Sequence, residues 1–310
     1  EMTKSLFLYL SRSPGARRMI MGLPFAKRAA RRFVVGETLE EALRAVGDLN
    51  RDGILATLDQ LGEDVMTPEE ARQSTEGVAG ILDGIRRAGV KSNLSLKLTQ
   101  MGLRVDPQLC QENLEVVLQR ASELGNFVRI DMEGSDVTDI TFRVWEKGRE
   151  RHPNVGIVIQ SCLRRTEKDV LERLIPAGAS VRLCKGAYKE PPDRAFPRKS
   201  EDDASFQKLA DHLLSPEARS RGVRVAVATH DEAMIRHVKD KVARGEIGKG
   251  DFEFQMLYGI RRDLQRSLAR EGYTVRIYVT FGTQWYPYFM RRLAERPANV
   301  LFVARNVFRG

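Results

Sequence analysis

The chain alternates short apolar runs with longer amphipathic stretches from residue 52 onward. Eight of the short runs are rich in β-branched residues and have the length of buried strands. They cover residues 53–59, 93–99, 127–133, 155–161, 180–186, 223–229, 252–257 and 275–281. The stretches between them, such as RTEKDVLERLI (165–175), repeat apolar residues at the three-to-four spacing of a helix. The pattern therefore predicts strands that alternate with helices.

Strand–helix alternation predicts a parallel sheet, because parallel neighbours need a crossover connection. Eight such units in about 230 residues match the size of a closed (β/α)8 barrel. A doubly wound open sheet is the alternative, but the number of units favours closure. One helix start is marked by Thr67 as N-cap and Pro68 at the first helical position. We predict an α/β fold, a TIM-type barrel over residues 51–310 with an N-terminal helical extension over residues 1–50.

The net charge of +9 is concentrated at the N-terminal end. Residues 1–36 contain eight Lys or Arg and one acidic residue, Glu1, so they carry +7; the other 43 basic and 41 acidic residues carry only +2. This distribution argues against a nucleic-acid-binding surface spread over the fold. The segment mixes apolar and basic side chains, so one hypothesis is peripheral contact with an anionic membrane. The alternative, which the sequence favours, is a solvated helical hairpin packed on the barrel.

The composition is that of an ordinary globular protein, with 42% hydrophobic and 30% charged residues. The three cysteines, Cys110, Cys162 and Cys184, lack CxxC spacing, so we expect neither a disulfide framework nor a cysteine zinc site. No apolar run reaches the roughly 18 residues of a membrane-spanning helix, and no signal peptide is recognisable. We therefore expect a cytoplasmic protein, held at the inner face of the cell membrane if the basic segment binds lipid.

Polar residues stand at the ends of seven of the predicted strands. In a barrel these ends meet at the C-terminal face, where active sites form. The strand-end group comprises Lys97, Asp131, Glu133, Gln160, Arg182, Lys185, Thr229, His230, Gln255, Tyr258 and Tyr278. Arg291 and Arg292 follow on the helix after the last strand.

Charges inside strands are costly unless they are paired or bound to a ligand. Structural ion pairs, such as Lys97 with Asp131 or Arg182 with Glu133, would account for any one of these charges. Pairing accounts less well for polar groups at seven strand ends. The sequence therefore predicts a functional site at this face.

Several common sites are excluded by missing motifs. The chain has no GxGxxG, no P-loop, no HExxH and no GxSxG. Of its four histidines, His152 and His212 lie in or beside predicted helices and are expected at the surface. We therefore expect no metal site.

The strand-end group is rich in cations, which we predict to converge on one rim that binds anions. They are Lys97, Arg182, Lys185, Arg291 and Arg292. Two anions are plausible, a phosphate-bearing cofactor and a substrate carboxylate. Adjacent arginines suit a carboxylate, because a guanidinium offers it two parallel hydrogen bonds. Tyr258, Tyr278 and Leu257 would add an apolar wall, and the glycine of KGAY (185–188) lets a ligand approach the backbone closely.

These stretches, in order along the chain, resemble those of proline dehydrogenases, the flavin enzymes of proline catabolism. They are TLDQLGE, SLKLTQMGL, RIDMEGS, IVIQSCLRRT, VRLCKGAYKE, ATHD, FEFQMLYG and RIYVTFGTQWYPYFMRRLAERPAN. RFVVGET near residue 32 is similar to the family's entry into the domain, so the resemblance runs from about residue 30 to 305. RLCKGAY and YPYFMRRLAERPAN are specific to the family, whereas ATHD alone is not. The chain looks like the short monofunctional bacterial type.

The resemblance implies a distorted barrel that holds FAD without a Rossmann motif. It implies oxidation of L-proline to Δ1-pyrroline-5-carboxylate, with electrons passing to FAD and then to a quinone. Arg291 and Arg292, helped by Lys97, would bind the proline carboxylate. Asp131 would line the substrate pocket, and Arg182 would lie beside the reactive flavin nitrogen, so these two are the catalytic candidates.

The resemblance also assigns the remaining walls of the site. Tyr278 and Leu257 would enclose the proline ring. The cofactor contacts would come from Met132, Gln160, Lys185, Gly186, Ala187, Thr229, His230 and Gln255.

Two positions depart from the family pattern. Thr280 stands where the family usually has proline, and we expect it to loosen the turn that presents Tyr278. Cys162 replaces an aromatic residue and is expected to change a wall near the flavin. We interpret Cys162 and Cys184 as packed small residues.

Two other functions stay open on the residues alone. A barrel lyase or aldolase acting on a phosphate-bearing substrate would use Lys97 or Lys185 as a Schiff-base amine. A binding module would use the basic N-terminus to contact RNA or lipid, with the barrel as a scaffold. The absorbance of bound flavin in the purified protein would distinguish the dehydrogenase from both.

Overall fold

The computed structural model describes residue 15 and residues 19–20, 24–188 and 190–295. At its centre, eight parallel strands form a closed barrel in sequence order. The strands are β1 (Leu55–Gln60), β2 (Ser92–Leu96), β3 (Val128–Ile130), β4 (Val155–Gln160), β5 (Ser180–Cys184), β6 (Arg224–Ala228), β7 (Phe252–Leu257) and β8 (Val275–Phe281). Strand β1 pairs with β8 from Leu55↔Arg276 to Gln60↔Phe281, which closes the sheet. The predicted barrel is confirmed, and the open sheet is excluded.

Helices surround the barrel and precede it. They are α1 (Pro24–Ala30), α2 (Leu39–Arg51), α3 (Pro68–Ala88), α4 (Pro107–Glu123), α5 (Thr138–Arg151), α6 (Thr166–Asp169), α7 (Lys199–Leu213), α8 (Pro216–Ser220), α9 (Glu232–Ala243), α10 (Arg262–Arg270) and α11 (Trp285–Glu295). A π-helical turn, Val170–Leu174, continues α6. The predicted start of α3 is confirmed: Thr67 accepts a hydrogen bond from the Glu70 N–H, and the Glu70 carboxylate accepts one from the Thr67 N–H.

The interior of the barrel is unusually polar. Residues two apart on a strand point to the same face, so β2 and its continuation turn Ser95 and Lys97 inward, as β3 does Arg129 and Asp131. Barrels of this type are commonly filled by branched apolar side chains. Here those side chains pack between strands and helices, in a core that includes Leu58, Leu94, Ile130 and similar residues. Polar and charged side chains are thus concentrated inside the barrel, and apolar packing lies between the strands and the helices.

The described part of the N-terminal extension packs on the barrel's last helix. Ala26, Ala29 and Phe33 lie in one buried cluster with Tyr286 and Phe289 of α11. For these residues, this supports the interpretation that the N-terminal segment packs on the barrel. The membrane hypothesis depends on apolar residues at 6–8, 20, 21, 23 and 25, of which 6–8, 21 and 23 lie outside the described residues. The domain boundary at residue 50 stays a prediction. Within the described part of the chain, every helix is too short or too polar to cross a bilayer.

Two expectations about single residues are wrong. Thr280 does not loosen a turn, because it lies within β8, is fully buried and donates a hydrogen bond to the Phe33 carbonyl at 3.1 Å. His152 is not at the surface. It caps the end of α5 with its ring buried between Glu115 (2.7 Å) and Ser122 (3.2 Å) of α4. His212 is partly exposed beside Glu167.

Candidate active site

Asp131 is the centre of a buried cluster at the C-terminal end of the barrel. Its Oδ1 accepts hydrogen bonds from Arg182 Nη1 at 2.7 Å and from Ser95 Oγ at 2.8 Å. Its Oδ2 accepts from the Tyr278 hydroxyl at 2.5 Å and from Lys97 Nζ at 3.3 Å. Four strand ends are thereby joined through one carboxylate, which fixes the relative positions of two cations and a phenol.

Lys97 has more than one counter-ion. Its Nζ lies 3.2 Å from Asp59 Oδ2 and 3.7 Å from Glu63 Oε1, in addition to Asp131. It also donates to the Tyr278 hydroxyl at 3.3 Å. The predicted Lys97–Asp131 pair is therefore present, but Arg182 pairs with Asp131 and not with Glu133.

Arg291 and Arg292 differ in their surroundings, because neighbouring residues of a helix point in different directions. Arg291 donates to both carboxylate oxygens of Glu63, at 2.7 and 3.2 Å. Since Glu63 also faces Lys97, Arg291 joins the Asp131 cluster through it. The Arg292 side chain is buried, with its guanidinium 5.0 Å from the centre of the Tyr288 ring.

The electrostatics of the cluster follow from burial and from the balance of charges. Burial raises the pKa of Asp59 to about 6. Lys97 lowers this pKa, and the negative charges of Asp131 and Glu63 offset part of that lowering. Burial would also raise the pKa of Asp131, but Lys97 and Arg182 hold it below its usual value. Burial would lower the pKa of Lys97, but Asp59 and the other anions hold it well above its usual value. Lys97 and Asp131 therefore form a fixed ion pair, while Asp59 titrates near neutral pH.

Glu133 lies beside this cluster and forms no ion pair with a lysine or arginine in the described part of the chain. It accepts hydrogen bonds from the Thr99 hydroxyl at 2.7 Å and the Thr99 N–H at 3.1 Å. Burial raises its pKa to about 7, which the two hydrogen bonds from Thr99 only partly offset.

Arg182 is held in place by a series of hydrogen-bonded side chains. Its Nε donates to Gln255 Oε1 at 2.5 Å, and Gln255 Nε2 donates to Glu253 Oε1 at 2.5 Å. Glu253 in turn accepts from Arg276 Nε at 2.8 Å. The series fixes which end of the Gln255 amide faces Arg182, because the carboxylate of Glu253 can only accept.

The residues predicted to contact a cofactor lie mainly at the ends of β4, β5 and β6. Gln160 donates to the Glu133 carbonyl at 2.9 Å, and Met132 is packed in the apolar core. Lys185 is held by Asp203 and, at 2.7 Å, by Asp231. The Thr229 hydroxyl accepts from the Asp231 N–H at 3.0 Å, and His230 Nε2 accepts from the Leu257 N–H at 3.0 Å.

Gly186 and Ala187 form the turn that follows β5. Gly186 has φ +120°, and a Cβ there would stand 2.6 Å from Cys162 Sγ and 2.9 Å from Gln160 Oε1. Only glycine therefore fits this close approach of backbone and side chains.

The predicted rim of cations is changed in two respects by the structure. Lys97, Arg182 and Arg291 do gather in one cluster, but each is already paired with a carboxylate. Lys185 forms a separate group with Asp203 and Asp231. The Asp131 cluster is thus a network of alternating charges, not a surface of uncompensated positive charge.

Sequence reasoning missed the acids that complete the network. Asp59 and Glu63 lie in TLDQLGE, which contributed to the resemblance but was not searched for site residues. The signal was available, because Asp59 ends a strand as Asp131 does. Tyr188, in the loop after β5, was also missed. Burial raises the pKa of its hydroxyl, and the charges of Glu63, Arg291 and Glu133 act on it, so this loop lies near the cluster.

Comparisons with known proteins agree with the sequence motifs. The sequence profile of the family described as proline dehydrogenase matches residues 42–305. Proline dehydrogenase 1 of Bacillus subtilis strain 168 is 40% identical over 309 residues, which cover 99% of this chain and 100% of that protein. The proline dehydrogenase of Deinococcus radiodurans is 41% identical over 292 residues, which cover 91% of this chain and 90% of that protein.

Solved structures show the same barrel within a longer protein. Proline utilization A (PutA) from Bdellovibrio bacteriovorus, inactivated by N-propargylglycine, matches with a TM-score of 0.80 at 25% identity. The match covers 87% of this chain and 33% of that one, so the chain spans about a third of PutA. Since similarity extends over the whole length of the shorter relatives and includes the strand ends that build the Asp131 cluster, the chain belongs to the proline dehydrogenase family.

Proposed function

We propose that the protein oxidises L-proline to Δ1-pyrroline-5-carboxylate, with bound FAD and a quinone as the electron acceptor. This reaction is the first step of proline degradation to glutamate. The observation that carries the proposal is the Asp131 cluster: one buried carboxylate joins Lys97, Arg182 and Tyr278 at the C-terminal face. It occurs in a chain that is 40% identical over its length to a protein named proline dehydrogenase.

Three cations are suited to bind the substrate carboxylate. Lys97 stays charged across the physiological range, because its pKa lies well above the usual value. Arg291 uses two of its donors on Glu63, and a guanidinium has five, so it can hold a second carboxylate as well. Arg292 follows it on α11 as the third member.

The remaining residues of the substrate pocket supply shape. The ring of Tyr278 is held by its hydroxyl between Asp131 and Lys97, so its face is fixed as one wall. Leu257, half-buried at the end of β7, supplies an apolar surface for the methylene groups of proline. Positioning of this kind lowers the barrier by removing the entropic cost of orienting the reactants.

FAD fits the residues at the ends of β4 to β6 in chemical character. Gly186 packs its backbone against Cys162 and Gln160 with no room for a side chain, which fixes the turn after β5 that carries Lys185 and Ala187. Lys185 has a third N–H donor beyond those directed at Asp203 and Asp231. We propose that these residues, with Met132, Ala187, Thr229 and His230, hold the cofactor.

When bound, FAD would supply the acceptor for the hydride that leaves C5 of proline, the ring methylene carbon bonded to the nitrogen. Arg182 is a fixed positive charge, held by Asp131 and Gln255, and would favour the negative charge that develops on reduction. The ring nitrogen also loses a proton. Lys97 cannot accept it, because its pKa is raised and it remains protonated.

The alternative of a Schiff-base lyase is disfavoured by the same electrostatics. A Schiff-base lysine needs a neutral amine, and enzymes obtain it by lowering the lysine pKa. Lys97 faces three carboxylates and has a raised pKa, and Lys185 is held by two.

The decisive experiment is the absorbance of the purified protein. We expect flavin bands that bleach when L-proline is added without oxygen, and that return when a soluble quinone follows. A colourless protein, or a yellow one that proline does not bleach, would overturn the proposal. Return of the bands with NAD+ but not with quinone would overturn the acceptor alone.

Replacement of Arg292 by alanine tests the substrate assignment. We expect Arg292→Ala to raise the KM for proline by about 100-fold, since a charged contact contributes about 2–3 kcal/mol, with the flavin content unchanged. Arg270→Ala, on the exposed face of α10, is the matched control. Loss of FAD from Arg292→Ala would show that this arginine holds the cofactor instead.

A further inference from the structure

A second polar site lies at the opposite, N-terminal end of the barrel. A cavity of about 580 Å³ there is lined by Arg129, Arg224, Arg276, Glu253, Asn93 and Phe127, among others. A neighbouring cavity of about 520 Å³ shares Asn93, Phe127 and Arg276 with it. Catalytic residues of TIM barrels come from the other end of the strands, so the proposed reaction does not account for these cavities.

Arg129 is the central residue of this site. Its guanidinium lies 4.8 Å from the centre of the Phe127 ring, and among the described residues it forms no ion pair. Its side chain is buried, at 5% exposure, and its Nη atoms donate to the Ser180 carbonyl at 2.7 Å, the Ile157 carbonyl at 3.3 Å and the Ser180 hydroxyl at 3.1 Å. Its Nε–H has no acceptor, and among residues 24–188 and 190–295 no carboxylate lies within 4.0 Å of it. Burial, then the nearby charge of Arg182, lowers the pKa of Arg129 to about 9.

The barrel is built to accommodate this arginine. A Cβ on Gly156 of β4 would stand 2.5 Å from Arg129 Nη1 and 2.6 Å from the Ser180 carbonyl. A glycine within a strand otherwise weakens it, so its presence here makes space for the guanidinium. Burying a charge without a partner is costly, and such groups are normally paired or bound to a ligand.

The acids that line the cavity do not supply that partner. Glu253 binds Arg276 at 2.8 Å and Gln255 at 2.5 Å. Asp251 binds Arg219 at 2.9 Å, on the outer side. Arg224 is exposed at the rim and forms no ion pair with any residue in the described part of the chain. The lining has three arginines and two acids, and both acids are already paired, so Arg129 and Arg224 are left without an ion-pair partner among the described residues.

We propose that this N-terminal cavity binds a small oxyanion, carrying phosphate or carboxylate groups, between Arg129 and Arg224. The exposed Arg224 can pair with either group through two parallel hydrogen bonds, while Arg129 adds its charge and the N–H groups that Ser180 and Ile157 leave unused. The volume is in the range of small-metabolite sites, so the ligand can be larger than a single ion. Asn93 offers a further amide at the wall that both cavities share.

Isothermal titration of the purified flavoprotein tests the proposal, with inorganic phosphate and with citrate as the two probes. Sodium chloride at matched ionic strength removes the general effect of salt. We expect saturable binding of about one anion per chain. Binding of phosphate alone would identify a phosphate ligand, and binding of citrate alone a carboxylate ligand. Binding of neither would overturn the proposal.

Two exposed arginines locate the site. Arg224→Gln should weaken binding of the anion about tenfold, because it removes one charged contact. Arg221→Gln removes the same charge at the same end of the barrel, but Arg221 lines neither cavity and pairs with Glu217. It should change the Kd by less than about twofold. Equal effects of both substitutions, or no effect of Arg224→Gln, would contradict a site in this cavity.

Discussion

Asp131 Oδ1 lies 2.7 Å from Arg182 Nη1, on the carboxylate whose other oxygen accepts a hydrogen bond from Tyr278. This contact joins the residue proposed to face the cofactor with the wall proposed to face the substrate. Neither cation of the cluster can move without breaking a buried ion pair, and loss of one partner from such a pair costs about 3–5 kcal/mol. The site is therefore preorganised before any ligand enters.

Tyr278→Phe tests the role of the phenol in this preorganisation. The substitution keeps the ring but removes the hydroxyl that binds Asp131 and Lys97. We expect the KM for proline to rise about tenfold, the value of one charge-assisted hydrogen bond, with flavin content unchanged. Tyr273→Phe is the control, since Tyr273 packs against Phe252 and Phe254 away from the cluster. An unchanged KM in Tyr278→Phe would remove the phenol from the substrate site.

Glu253 is predicted to be a positioning residue for Arg182. It holds the Gln255 amide so that its oxygen faces Arg182 Nε. In Glu253→Gln the new amide can also donate, so Gln255 can turn its NH2 toward the guanidinium. We expect kcat to fall about tenfold while KM stays nearly constant.

A double variant separates positioning from general damage to the fold. In Glu253→Gln/Gln255→Glu, the carboxylate at position 255 can accept from Arg182, and the amide at position 253 can donate to that carboxylate. It should recover most of the lost kcat. If the double variant is no better than the single one, Glu253 acts only through structure.

Glu133 should make stability depend on pH in a defined direction. Its pKa is about 7 in the folded protein and about 4.5 when exposed, so folding favours the protonated form. The resulting penalty is absent below about pH 4.5, grows as the pH rises and is complete above pH 7. Glu133→Gln removes this penalty. The free energy of unfolding of the variant minus that of the parent should therefore increase by up to about 3 kcal/mol from pH 5 to pH 8.

Urea unfolding at the two pH values measures this difference. The control is Glu69→Gln, at the exposed first turn of α3. A gain at pH 5 that equals the gain at pH 8 would show that Glu133 is not titrating in this range.

The rate of proline oxidation should rise with pH. The amine must lose a proton before or during oxidation, while the charged Lys97 and ionised Asp131 do not change state near neutral pH. Asp59, whose pKa burial raises to about 6, ionises at the acidic end of this range and adds to the rise only there. We expect kcat/KM to increase from pH 6 to pH 9 by about tenfold per unit at the acidic end. A flat profile over this range would contradict the need for the free amine.

Gly156→Ala should destabilise the barrel. The new methyl group would meet Arg129, the Ser180 carbonyl and Phe127 at 2.5–2.7 Å, so we expect a loss of about 1–3 kcal/mol. Gly80→Ala is the matched control, because that glycine lies inside α3 with open space around it. It should gain about 0.5–1 kcal/mol from helix propensity. Thermal unfolding of both variants measures the contrast.

Local patterns were sufficient for most of the fold. Eight apolar runs and the helices between them were readable because strand and helix periodicities are properties of neighbouring residues. The closure of β1 on β8 was inferred from their number, and Thr67 was identified from its capping chemistry. Thr280 and His152 were misjudged because their environments come from segments distant in sequence, residues 33–35 and helix α4.

The sequence by itself determined the barrel, the family and the face on which the strand-end residues lie, since each follows from order and spacing along the chain. It named Lys97, Asp131, Arg182 and Tyr278, and the pairing of Lys97 with Asp131, but not the other partners in the cluster. Only the tertiary structure decided that Asp59 and Glu63 pair with Lys97 and Arg291, that Gln255 accepts a hydrogen bond from Arg182, and that Arg129 has no carboxylate partner among the residues that the structure describes. Charges act through space, and the distance between two side chains on different strands is set by closure of the sheet, not by their separation in the sequence.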